Sequence, residues 1–88
     1  MTVKTDYGWL VVNGTSLVRL VRLDDSTVLA GDWHSADPHD GMKTYREAER
    51  LTRAENMSVV VTLDSPDLEG FYRKRGFTTA AMRKTWDQ

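Results

Sequence analysis

Two stretches of the chain concentrate side chains that could do chemistry. Asp32, His34, Asp37, His39 and Asp40 place carboxylates and imidazoles within one short segment. Both group types serve as general bases, and both are hard or borderline metal ligands. Their spacing repeats no known ligand module, and a segment that contains Pro38 reads as a loop, so no metal is assigned. Ordinary exposed polar residues are the competing reading for each of them. Further on, Phe71-Tyr72-Arg73-Lys74-Arg75-Gly76-Phe77 sets a phenol among aromatic rings and cations. Trp9, Trp33 and Trp86 fall on different strands, where a core or a protein interface explains them better than a stacking platform for nucleic acid.

Bulk properties bound what such groups can serve. A chain of 88 residues holds one domain, near the lower limit at which a hydrophobic core suffices. It is 40% hydrophobic and 28% charged, a globular balance that argues against disorder. It has no cysteine, which excludes a disulfide framework and a thiolate zinc site. With 12 basic and 13 acidic residues the net charge is -1, so no global field gathers nucleic acid or an acidic membrane. The opening residues carry no apolar leader, and no run approaches the roughly 20 apolar residues of a membrane span. The expectation is a cytoplasmic protein with neither nucleic-acid nor membrane partners.

The elements that position these groups can be read from pattern. Trp9 to Val12, then Asn13-Gly14, then Leu17 to Leu23 reads as a hairpin through a type I′ turn. Asp24-Asp25-Ser26 marks a second turn before a strand from Thr27 to Trp33. Branched residues on both alternations of the second strand (Leu17, Val21 and Leu23; Val18 and Leu20) suit a sheet covered on both faces. From Gly41 to Glu55, Met42, Tyr45, Ala48 and Leu51 recur every third residue, giving a helix with a narrow apolar stripe. Glu49 and Arg53 pair along it, and its remaining charges read as a solvated face. Asn56 stops that helix, and Val59 to Leu63 reads as a strand in mid-sheet. Ser65-Pro66-Asp67 then combines an N-cap, a first-turn proline and a favourable charge. In the helix that follows, Leu68, Phe71, Tyr72 and Arg75 share a face and Gly76 is placed to end it. Phe77 to Trp86 closes the chain as a strand. The fold class is α/β (α+β): one domain over 1–88, a mixed and mostly antiparallel sheet, in the order β-β-β-α-β-α-β.

A helix crossover between the third and fourth strands and a second helix ending in Tyr72-x-x-x-Gly76-Phe77 together resemble the GNAT (Gcn5-related) N-acetyltransferase family. The resemblance covers roughly Leu10 to Trp86. It lacks the family's N-terminal strand and the two helices after it, which makes this a miniature member. Those helices wall the acceptor side of the site in ordinary members, so their absence favours a protein acceptor over a small amine.

The resemblance implies acetyl-CoA as co-substrate, gripped where the central strand splays and the next helix begins. The family's Arg/Gln-x-x-Gly-x-Gly/Ala pattern falls on Pro38 to Lys43, keeping the glycine as Gly41. Met42, Lys43 and Thr44 would present N–H groups there, although Asp40 would oppose a phosphate; the alternative is that Gly41 merely begins the helix. Tyr72 falls where the family's tyrosine protonates the leaving thiolate, the alternative being a core aromatic. Asp32 and His34, at the end of the third strand, are the candidate bases that would deprotonate the acceptor amine, with Asp64 a weaker third. A catalytically silent GNAT-like domain that binds a protein partner, such as a small regulator or a phage inhibitor, is the second functional expectation. Pairing of two copies through a terminal strand would cover an exposed sheet edge.

Overall fold

The computed structural model describes residues 1–61, 66–78 and 83–84. Among these are six strands and two helices: β1 (Thr2–Thr5), β2 (Gly8–Asn13), β3 (Ser16–Asp24), β4 (Thr27–Ser35), α1 (Pro38–Ala54), β5 (Ser58–Val61), α2 (Pro66–Lys74) and β6 (Arg83–Lys84). The strands form one sheet in chain order, antiparallel throughout except for the parallel pair β4 and β5, which α1 connects. This is the mixed, mostly antiparallel α+β arrangement that the pattern predicts.

The element order gains a strand that the sequence reading omits, becoming β-β-β-β-α-β-α-β. β1 has one aliphatic residue, Val3, and it is exposed. Backbone pairing with β2, from Thr2 opposite Val11 to Thr5 opposite Gly8, holds this edge instead of burial. An edge strand fixed by its ladder leaves no hydrophobic pattern to find.

The first predicted hairpin forms between β2 and β3, but its turn differs. Asn13 pairs with Ser16, so Gly14 and Thr15 are the turn residues. Of these only Gly14 has a positive φ, 57°, which is the type II′ pattern of a glycine at the first central position. Between β3 and β4 the Asp24 carboxylate accepts from the Ser26 N–H at 2.8 Å, closing the expected turn. Asn56 ends α1 in the left-handed region at φ 55°, and Gly76 ends α2 at φ 94°. Phe77 is not in a strand: its N–H donates to the Tyr72 carbonyl and its ring is buried. Of the closing strand expected from Phe77 to Trp86, the described part is β6, paired with β5. Ser65, Asp64 and Trp86 lie outside the described residues.

One face of the sheet carries the core. Trp9, Val11, Val18, Leu20, Val28, Ala30, Val59 and Val61 meet Tyr45 and Ala48 of α1 and Tyr72 of α2 in a single cluster. The buried side of α1 runs through Gly41, Thr44 and Thr52 as well as Tyr45 and Ala48, while Met42 and Leu51 are half-buried. Threonine was invisible to an apolar count, yet here its hydroxyls are satisfied locally. Thr44 Oγ1 donates to the Asp40 carbonyl at 3.0 Å, and Thr52 Oγ1 to that of Ala48 at 2.9 Å. Leu10, Val12, Leu17, Val21, Leu29 and Val60 point to the other face and are half-exposed. Among the described residues the expectation of a sheet covered on both faces is corrected, since the core contacts of both helices lie on one. Alternation shows which positions are apolar, not what covers them.

Candidate functional site

The site is shaped by a defect in β4. Leu17 pairs with His34 but Arg19 pairs with Gly31, so Val18 alone opposes Asp32 and Trp33. This is a β-bulge, and Asp32 absorbs it with a φ of 53°. Aspartate tolerates that conformation better than most residues because its short polar side chain bonds locally. Strict alternation from Ala30 would send Trp33 to the open face. The extra residue turns Trp33 and then Ser35 toward the helices, and leaves Asp32 and His34 on the open face.

Beyond the bulge lies a groove of about 410 Å³. Trp33, Ser35 and Ala36 form its β4 side, Pro38, Gly41 and Met42 its α1 side, and Phe71 and Tyr72 its α2 side. It opens at the carboxyl end of β4, one of the two parallel strands, where open α/β sheets place their ligands. Its lining is aromatic and aliphatic with few polar groups, the composition of a small-molecule site.

The start of α1 differs from expectation. The helix begins at Pro38, with Asp37 as N-cap, three residues before Gly41. Asp37 accepts from the His39 N–H through its carboxylate at 2.7 Å, and from the Gly41 N–H through its carbonyl at 2.9 Å. Ser35 Oγ donates to that same carbonyl at 2.7 Å, tying the helix start to β4. Gly41, Met42, Lys43 and Thr44 consequently lie within the first two turns, and the N–H of Gly41 is already used. The helix end bears a carboxylate of its own, which disfavours a phosphate there. Gly41 is small for a different reason: a Cβ would stand 2.8 Å from Ser35 Oγ. Met42 faces the groove and Lys43 faces solvent.

Asp40 does not face the groove as an opposing charge. Its Oδ2 accepts from the Thr15 N–H at 2.9 Å and the Thr15 hydroxyl at 2.8 Å, pinning the β2–β3 turn onto α1. A Cβ on Gly14 would come within 2.5 Å of the same oxygen, so glycine serves both the turn and this contact. The Thr15 backbone bond, then its hydroxyl, hold the Asp40 carboxyl below the ordinary carboxylate value. A carboxyl whose folded pKa is depressed adds stability above its unfolded pKa and loses it as pH falls through the folded value. Asp40→Asn is therefore expected to melt lower than the parent at pH 7, with the difference shrinking as the pH drops below about 4. Parallel thermal melts across that range check it.

The expected site residues separate into two groups. Tyr72 lines the groove, buried to 3% exposure, with edge-to-face partners Phe71 at 5.3 Å and Phe77 at 5.1 Å between centroids. Asp32 is exposed and accepts from Arg19 Nε at 3.2 Å on the opposite face. His34 is exposed on that face as well. Asp64 lies outside the described residues. Among the described residues no group of three carboxylates, imidazoles or thiols is close enough to hold a metal ion.

Sequence pattern assigns no functional role to Trp33, which lines the groove, or to Tyr45 and Arg75, which pack against its wall residue Phe71. Trp33 was seen only as a strand aromatic, because its orientation depends on the bulge. Tyr45 read as part of a helix stripe; its hydroxyl donates weakly to Glu49 Oε2 at 3.5 Å, and burial, then the Glu49 charge, push its pKa above the ordinary phenol value. Arg75, half-buried, lies flat over Phe71 with 3.7 Å from guanidinium carbon to ring centroid. Spacing placed Arg75 on the Phe71–Tyr72 face without saying what stood opposite. No protein-family model, curated protein or solved structure matched this chain. Among the described residues no helix is long and apolar enough to cross a membrane.

Proposed function

We propose that this chain is a minimal GNAT-like N-acetyltransferase, acting in the cytoplasm, that transfers an acetyl group from acetyl-CoA to an amine on a protein. The observation that supports this reading most is the groove at the carboxyl end of β4, with Tyr72 in its wall. A volume of about 410 Å³ suits the acyl-pantetheine arm of the co-substrate but not its nucleotide, which would lie outside. In the transfer, the acceptor nitrogen bonds to the acyl carbon and the carbon–sulfur bond breaks. The Tyr72 phenol donates its proton to the departing thiolate, and the amine releases one to solvent.

The connection between β1 and β2 is the two residues Asp6 and Tyr7, at the end of the sheet away from the groove, so no helices are inserted between these strands. The Gly41 to Thr44 backbone is not the phosphate cradle in this reading, since it is committed to the helix.

A second reading, a catalytically silent domain that binds a protein partner, is favoured by one observation: Asp32 and His34 stand on the face away from Tyr72. Without either as base, transfer needs an acceptor that arrives deprotonated. Isothermal titration with acetyl-CoA separates the readings. Micromolar binding is the expected result, and absence of heat at millimolar ligand would remove the acetyltransferase.

A further inference from the structure

Among the described residues, Arg75 is a cation without an anion. Its Nη1 donates to the Phe71 carbonyl at 2.9 Å, and its Nη2 reaches Met42 Sδ at 3.2 Å. A thioether is a weak acceptor, and a guanidinium has more N–H donors than these two contacts use. Among the described residues it forms no salt bridge. Glu49, a carboxylate on the same helix as Met42, accepts from the Tyr45 hydroxyl instead. Leaving a half-buried charge unpaired is unfavourable, and an anionic ligand would relieve that cost.

Its placement is fixed as well as unpaired. The guanidinium is stacked on Phe71, lies 5.6 Å from the Tyr45 ring centroid, and bridges α2 to α1 through Met42. Stacking orients the planar fork and lowers the ordering cost of a bidentate contact. Phe71 and Met42 both line the groove, so the cation stands at its rim, one helical turn beyond Tyr72. The N-terminus of α1, the other place where an anion would be sought, is occupied by the Asp37 carboxylate.

We propose that Arg75 is the anion anchor of this groove, binding the diphosphate of a ligand whose apolar arm lies against Trp33, Met42 and Tyr72. Diphosphate fits because its paired oxygens match the guanidinium fork, and because such a group terminates a pantetheine arm in the acyl donor. The identity of the arm, and the choice of diphosphate over another paired-oxygen anion, rest on the acetyltransferase reading. The anion site stands on the geometry of Arg75 alone.

The test uses the full chain and three probes: inorganic pyrophosphate, acetyl-CoA and acetyl-pantetheine, which lacks the diphosphate. At constant ionic strength, 10 mM pyrophosphate is expected to raise the melting midpoint by about 3–5 °C in the parent. It is expected to have no effect on Arg75→Met, which keeps an unbranched stem over Phe71. Arg75→Met should lose at least about 30-fold in acetyl-CoA affinity and none in acetyl-pantetheine affinity. Arg75→Lys, which keeps the charge but not the fork, should fall between them, and it serves as the variant of record where Arg75→Met does not fold. If neither thioester binds while pyrophosphate still shifts the parent and not the variant, the acetyltransferase fails and the anion site survives. A parent indifferent to pyrophosphate, or equal shifts in parent and both variants, overturns the proposal.

Discussion

Alanine at Gly8 is expected to unfold most of the protein at 25 °C, whereas alanine at Gly31 is expected to leave it as stable as the parent. Both glycines lie in the sheet, in β2 and β4, and flank the same strand, β3. At Gly8 a Cβ would stand 1.9 Å from the Leu20 carbonyl oxygen, and φ is 155°. The obstacle is backbone, so no rotamer change relieves it. β2 must move off β3, and with it go the pairs from Gly8 opposite Val21 to Asn13 opposite Ser16, together with the buried Trp9 and Val11. Losses of this kind exceed about 4 kcal/mol. A domain of this length has roughly 0.05–0.15 kcal/mol per residue in total, so the cost is comparable to the whole stability. At Gly31 nothing lies within 4 Å of a built Cβ, and alanine there lowers the entropy of the unfolded chain. Circular dichroism melts of the two variants decide it. A Gly8→Ala protein within about 5 °C of the parent would mean that β2 and β3 tolerate a shift the packing does not suggest.

How far the sequence discloses this fold depends on whether a signal is local. The turns at Asn13-Gly14 and Asp24-Asp25-Ser26, the αL stop at Asn56 and the glycine after α2 are short-range backbone chemistry, and each marks a boundary that the structure has. The opening of α1 is equally local. Asp37-Pro38 offers the same N-cap and first-turn proline as Ser65-Pro66, but a glycine pattern laid over Pro38 to Lys43 moves the start to Gly41. A free glycine loop and a glycine pressed against Ser35 look alike in one dimension.

The candidate site is mostly not local, and that is why it is less legible. Trp33 reaches the groove only because Asp32 takes a left-handed conformation, and nothing in Thr27 to Trp33 announces the change of face. The same bulge separates Asp32 and His34 from Tyr72, which the family resemblance groups in one site. For α2 the periodicity finds the right face, because three-and-four spacing is a property of the helix itself. What that face meets, Tyr45 and Met42 on α1, is a matter of packing between elements distant in sequence.

Tyr72 is where packing and chemistry can be separated by two substitutions of different size. Tyr72→Ala removes a ring that is 3% exposed and held edge-on by Phe71 and Phe77. Truncating a buried aromatic costs about 3–5 kcal/mol, which in a domain this small leaves little folded protein. Tyr72→Phe keeps the ring and both edge-to-face contacts, and loses only the hydroxyl, at about 1 kcal/mol. Its melting midpoint is expected within about 8 °C of the parent, and its acetyl-CoA affinity within about threefold. Transfer should behave differently. A phenol that protonates the departing thiolate contributes about 100-fold or more, so single-turnover release of CoA thiol to a lysine-containing peptide should fall by that factor. Because the phenylalanine variant still folds and still binds, the loss would belong to the proton and not to the site's shape. Full transfer by Tyr72→Phe would reduce Tyr72 to a core aromatic that happens to border the groove. Transfer that is equally absent from the parent and the variant, with acetyl-CoA bound by both, would identify a domain that holds the thioester without spending it.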